Sequence, residues 1–208
     1  MRAGKAAVLC LVELILATTA AAGQAATRRW LELHREHGII VEEAVAPGDV
    51  VLVRANATLP CSRDALAAVL LDLERFPQWV PRLAGWNVIE RDAGSVVVYG
   101  RQHLPWPFRD RDYVIRYTWR SQADGVFVLE SRSEEGSGPA PVAGIVRLRA
   151  AQEKWQLVPN EGGGTAVAYT FNGNLDGWMP HFWQRAVWKR DIVQLLQRLG
   201  ERAGERKR

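Results

Sequence analysis

The chain is poor in the residues that most chemistry needs. Two cysteines occur in 208 residues, and Cys10 lies in an N-terminal segment expected to be removed. Cys61 then stands alone, which excludes an intrachain disulfide and a thiolate metal cluster. Beside Pro60 it reads as an inert, buried small residue. Four histidines are present. His34 and His37 are three apart but have no recognisable third ligand, so no metal is expected. The sequence has no glycine-rich phosphate loop, no Gly-x-Ser-x-Gly elbow and no His-Glu-x-x-His pair. Internal repeats and interdomain linkers are absent, and only the first twenty-odd residues form a long apolar run. No organic cofactor is called for.

What is present is an ordinary globular balance, 48% hydrophobic and 24% charged, with length for one domain and a substantial core. Nine tryptophans are spread from Trp30 to Trp188. Aromatic residues fill cores, and they also line pockets that need an apolar body with a polar edge. The formal charge is +4. Part of it sits in a C-terminal tail that also carries Glu201 and Glu205, the pattern of a solvated helix end. No nucleic-acid partner is expected; transient contact with an anionic membrane surface is.

Residues 1–22 read as a secretory signal. Arg2 and Lys5 precede a mostly apolar stretch, and Ala20-Ala21-Ala22 offers a small-residue cleavage site before Gly23. Glu13 interrupts the run, which is also short for a membrane span; a retained anchor is the competing reading. Cleavage places residues 23–208 in the periplasm or outside the cell, as one domain and a monomer.

Along the chain, Thr27 to Gly38 is expected to form a short capped helix carrying Trp30 and Leu33. Ile39–Val45 and Val50–Leu59 read as a hairpin. Ser62 caps a helix through Leu73, closed by the stiff corner Phe76-Pro77-Gln78-Trp79-Val80-Pro81. Strand patterns follow at 87–91, 95–101, 113–120, 126–131, 144–150, 154–158 and 165–171, separated by turn signals. Tyr113, Ile115, Tyr117 and Trp119 share one strand face. The charge cluster Arg109-Asp110-Arg111-Asp112 reads either as a solvated turn or as a place where Arg111 or Asp112 is drawn inward; parity turns Arg147 outward. After Asp176-Gly177, Pro180 starts a long amphipathic helix with Met179, Phe182, Trp183, Ala186, Val187, Val193, Leu196 and Leu199 on its apolar stripe. The class is α+β, with helices on one face of a curved antiparallel sheet.

Taken in order, several of these segments resemble one family. They are Trp30 with Gly38-Ile39-Ile40-Val41, the Ser62 helix with Phe76-Pro77-Gln78-Trp79, and Trp106-Pro107 followed by Arg111-Asp112-Tyr113. Val146-Arg147, Trp155 to Pro159 and Leu175-Asp176-Gly177-Trp178-Met179-Pro180 complete the set. The chain is similar to START (steroidogenic-acute-regulatory-related lipid transfer) domains, as a secreted bacterial-type member. The resemblance implies a helix-grip fold, in which a curved antiparallel β-sheet wraps a long C-terminal helix and leaves a hydrophobic cavity between them. It also implies binding or carriage of a lipid, such as a sterol or phospholipid, without a cofactor.

The residues expected to line that cavity are Trp79, Tyr99, Tyr113, Tyr117, Trp119, Tyr169, Phe182, Trp183 and Ala186, with Ala186 leaving space opposite the aromatic strand. Trp106, Trp178 and Met179 are expected at a gate or membrane contact. The main expectation is a binding protein with no catalytic residues. The alternative is a cyclase- or hydrolase-type enzyme on the same scaffold, for which His103, Asp112 and His181 are the candidate titratable groups.

Overall fold

The chain begins its sheet with a hairpin where a helix was expected. In the computed structural model, which describes residues 29–45, 50–177 and 179–205, β1 (Trp30–Glu36) pairs antiparallel with β2 (Ile39–Val45). The two strands are joined at His37-Gly38, both with positive φ, 50° and 77°. A two-residue turn of that kind matches the twist of the flanking strands, and glycine adopts its second position without strain. Pairing with β2 therefore overrides the helical reading of Trp30 to Gly38. The proposed signal segment lies outside the described residues.

β3 (Val50–Leu59) continues the sheet. The helix α1 (Arg63–Leu71) starts where the sequence places it, the Ser62 side chain accepting a hydrogen bond from the Ala65 amide. A 3-10 turn at Leu73–Gln78 then buries Phe76 and delivers Trp79 into the interior. Next come β4 (Leu83–Asp92), β5 (Ser95–Gln102), β6 (Arg111–Ser121), β7 (Phe127–Ser133), the short β8 (Val146–Leu148), β9 (Ala151–Pro159) and β10 (Thr165–Asn174). Ten strands form one curved sheet in the order β1-β2-β3-β10-β9-β7-β6-β5-β4. Every pair along that path is antiparallel; β8 lies off it, parallel to β6.

The last element is α2 (His181–Glu205). Its C-terminal half buries Ile192, Val193, Leu196, Leu199 and Ala203 against α1 and the sheet. Each large side chain so buried contributes roughly 1.5–3 kcal/mol. Its N-terminal half is different: Phe182, Trp183, Arg185, Ala186 and Arg190 are exposed. The helix is anchored at one end and lies over the sheet as a cover at the other.

Candidate functional site

The cavity is built by strand alternation. On β6 the residues Tyr113, Ile115 and Tyr117 face inward, since every second residue of a strand takes the same face. Register carries the pattern across the sheet: Tyr117 pairs with Ser131 of β7, Ser131 with Glu153 of β9, and Glu153 with Phe171 of β10. These four form one row of the cavity floor. Tyr113 lies flat over Gly100 of β5, its direct partner, where a Cβ would come within 2.2 Å of the ring. Gly100 is therefore the residue that lets a tyrosine lie there.

The walls come from Phe76, Trp79 and Trp86 on one side, and Val187, Trp188 and Ile192 of α2 on the other. Phe76 stacks on Trp86 at 5.1–5.2 Å centroid distances that also bring Trp79 edge-on. The space between them measures about 160 Å³ and is partly open to the outside; sites that hold a drug-sized ligand usually measure ~300–1,000 Å³.

The interior is not uniformly apolar. Glu153 sits on the inner face of β9 between Ala151 and Trp155, on the central strands of the sheet. The Tyr169 hydroxyl donates to its Oε1 at 3.0 Å, and Ser131 donates a second hydrogen bond. Burial pushes this carboxyl above its ordinary range, and the two hydrogen bonds only partly oppose that shift. Burial likewise raises Tyr113, Tyr117 and Tyr169, with the Glu153 charge adding to each, so all three phenols stay protonated.

Two cations line the cavity among the described residues, and both are engaged. Arg82 pairs with Asp191 of α2, Nε to Oδ2 at 2.5 Å, and burial raises the Asp191 carboxyl against that attraction. Arg111 is buried and donates to three backbone carbonyls: Leu175 at 3.1 Å, Asp176 at 2.9 Å and Arg109. The Asp176-Gly177 turn it holds has φ of 43° and 70° and leads into α2. Arg111 thus ties the strand at the cavity mouth to the cover helix.

The expected lining residues divide. Trp79, Tyr113, Tyr117 and Tyr169 meet in the cavity, and Met179, expected at a gate or membrane contact, lines it with them. Tyr99 does not: it lies on the opposite face of β5, where its hydroxyl donates to Asp112 at 3.2 Å and its ring packs under Arg147. Trp119 packs at the edge of the core beyond the cavity. Ala186, expected opposite the aromatic strand, is on the exposed face of α2, because the helix turns Val187, Trp188 and Asp191 inward instead.

Phe182 and Trp183 are also exposed, 68% and 38%. Trp183 lies edge-on to Phe108 at 5.6 Å, which joins the helix start to the 103–110 loop, whose Trp106 is 90% exposed. Trp178 lies outside the described residues, as does the side chain of His181.

The charge cluster resolves in both directions. Arg111 is drawn inward, while Asp112 is fully buried on the outer face, beneath the 134–145 loop. There Arg147 grips it through two hydrogen bonds, 2.8 and 3.0 Å. His103 is exposed and hydrogen-bonded to Asp110. Neither His103 nor Asp112 therefore reaches the cavity; Glu153 and Asp191 do. The signal for Glu153 was its parity with Trp155 and Leu157, visible as an acid on the buried side of a strand.

Comparison with known proteins agrees with this architecture. A solved STAR-related lipid transfer protein from Xanthomonas axonopodis superposes with a TM-score of 0.74 at 24% identity, over 84% of this chain and 98% of that one. The Zhui aromatase/cyclase from Streptomyces sp. R1128 superposes with a TM-score of 0.56 at 18% identity, over 76% and 96%. The mouse StAR-related lipid transfer protein 7, mitochondrial, is 34% identical over 96 residues, 45% of this chain and 26% of the mouse protein. The START domain family model matches residues 17–207. A curved ten-stranded sheet closed by a C-terminal helix, with a lined cavity between them, is what that match leads one to expect, and the chain belongs to the START domain family.

Proposed function

We propose that this protein binds a lipid or similar hydrophobic molecule in the cavity between sheet and α2, and carries or presents it in the cell envelope. The observation that carries the reading is the interior space itself, walled by Phe76, Trp79, Trp86, Val187 and Ile192 and covered by a half-anchored helix. Transfer of apolar surface into such a site contributes roughly 25 cal/mol per Å² buried. Membership of the START family and the likeness to STAR-related lipid transfer proteins support it.

Delivery follows from the surface around the mouth. Trp106, Phe182 and Trp183 present aromatic side chains on two adjoining segments, and aromatic rings, tryptophan above all, favour the membrane–water interface. The signal-like N-terminus supports an envelope or secreted location. The cover would open where the protein meets the bilayer, through release of the Asp176-Gly177 turn. Native mass spectrometry of the full chain, purified from its own compartment, tests the reading. A bound lipid is expected; protein that is empty in repeated preparations and takes up no lipid in titration would refute it.

A second reading has one observation in its favour. Glu153 is a half-buried carboxyl with a raised pKa lining a cavity, the setting of many general acids and bases, and a cyclase shares the fold. Turnover of an aromatic or polyketone substrate that is lost in Glu153→Gln would support an enzyme.

A further inference from the structure

Resting on the lipid-binding reading, we infer that the side chain of Trp79 is the end stop of the cavity. It divides the interior from a second cleft behind it, and so sets the longest apolar chain the protein accepts. Three observations carry this.

First, two spaces meet at one residue. The second cleft measures about 210 Å³ and opens between α1, the 3-10 turn and the C-terminal end of α2. Its lining is Val69, Asp72, Arg75, Trp79, Arg202 and Glu205. Trp79 is the one described residue that lines both this cleft and the interior. Its side chain is buried with space on either side of it, which makes it a partition rather than one wall among several.

Second, Trp79 stands far from the mouth. Arg198 of α2 donates to the Trp79 carbonyl at 3.0 Å, and the helix starts beside the mouth at His181. The path along the axis from 181 to 198 is roughly 26 Å at 1.5 Å per residue. A chain that enters beside Phe182 and Trp183 runs along Val187, Trp188 and Ile192 and ends against the indole.

Third, the backbone around the partition is fixed, and the far side is charged. The Trp79 and Val80 amides both donate to the Phe76 carbonyl, at 3.1 and 2.9 Å, Arg202 donates to Gln78 at 3.0 Å, and Pro77 and Pro81 lock φ on either side. The corner therefore keeps its path when the side chain is shortened, and only the opening changes. Each methylene buried before the indole is worth about fourfold in affinity. A chain pushed past it meets the Asp72–Arg75 pair, Arg202 and Glu205 instead of apolar walls.

The test is competitive uptake by the delipidated full chain from dioleoyl phosphatidylcholine vesicles carrying equimolar decanol, tetradecanol, octadecanol and docosanol. Retained alcohol is quantified by mass spectrometry after gel filtration. Wild type should show a cut-off, with retention rising with chain length and falling before docosanol. Trp79→Ala should raise the docosanol-to-tetradecanol ratio at least about tenfold, the worth of two further buried methylenes. Trp79→Phe keeps a ring in the partition and should stay within one methylene, about fourfold, of wild type. Trp86→Ala removes an indole of the same size from a wall that does not border the cleft, and should not move the cut-off.

Near-ultraviolet circular dichroism shows which variants are folded, and photolabelling adds a readout that needs no variant. Octadecanol with a diazirine at its terminal carbon should label Trp79 in wild type; docosanol labelled in the same way should reach Arg75 or Arg202 in Trp79→Ala. A wild type without a cut-off would overturn the end stop while leaving lipid binding intact. So would an unmoved ratio in folded Trp79→Ala, an equal rise in Trp86→Ala, or a wild-type label on Met179 or Gln184 instead of Trp79. Retention of no lipid of any kind by wild type and variants alike would overturn the lipid-binding reading, and the end stop with it.

Discussion

Glu153 is a carboxyl facing the cavity whose pKa is raised by burial, and this shift is measurable without knowing the ligand. Its native pKa is raised above the 4.5 of an unperturbed glutamate, so the folded chain holds its proton more tightly than the unfolded chain. The stabilisation this gives is complete below pH 4.5 and is lost as pH rises through the native pKa. Asp191 shifts in the same direction, so the wild-type curve alone does not isolate Glu153. The difference between wild type and Glu153→Gln does. Urea denaturation from pH 4 to 8 should show the wild type losing stability relative to Glu153→Gln as pH rises, and a pH-independent difference would contradict the assignment.

At this scale the sequence is legible where strand parity decides orientation. Tyr113 and Tyr117 follow from alternation along β6, and both line the cavity. Tyr99 obeys the same rule on β5, but its parity with Arg101 places it on the outer face, with Asp112. Glu153 is legible by the same logic, but an acid between Gln152 and Lys154 reads locally as a surface residue. Only the register across β7, β9 and β10 shows it in a row with Tyr117 and Phe171.

Among the elements, α2 is the one with two behaviours. Its stripe from Ile192 to Ala203 is locked into the core, while its first turns are held mainly by side-chain ties: Arg82–Asp191, Arg185–Glu43, and the turn fixed by Arg111. Periodicity foretold the helix and its apolar residues but not which half is covered, because Phe182, Trp183 and Ala186 fall at helical spacing whether or not anything packs on them. The Trp30 to Gly38 segment shows a similar limit. Its composition suits a helix, and it is a strand because β2 offers it a partner across a two-residue turn.

The two halves of α2 should respond differently to substitution. Arg111→Ala removes charge-assisted hydrogen bonds, worth about 1.5–3 kcal/mol each, from the turn that leads into the helix. Hydrogen exchange should then accelerate across residues 173–190 and leave 192–203 protected. Leu196→Ala should instead destabilise the whole fold by about 2–5 kcal/mol. Uniform acceleration along the helix in Arg111→Ala would show that the turn is not a separate latch.

The whole molecule joins a ten-stranded sheet to a cover helix buried along its C-terminal half, with a partly open interior of about 160 Å³ between them. The curved sheet, the closing helix and the family were legible from ordered motifs spread along the chain, since turn residues and alternation set strand order locally. The size of the interior was not legible. It depends on how Trp79, Trp86, Trp155 and Trp188 share the space, and long-range packing of that kind leaves no periodic trace in a sequence.

The central claim is that a hydrophobic ligand occupies this interior, and photolabelling tests it most directly. Delipidated full chain, loaded with a long-chain alcohol bearing a diazirine in its alkyl tail and then irradiated, should carry the label on cavity-lining residues such as Phe76, Trp79, Trp86, Ile192 or Leu195. Label confined to Trp106, Phe182 and Trp183 at the surface would contradict the account.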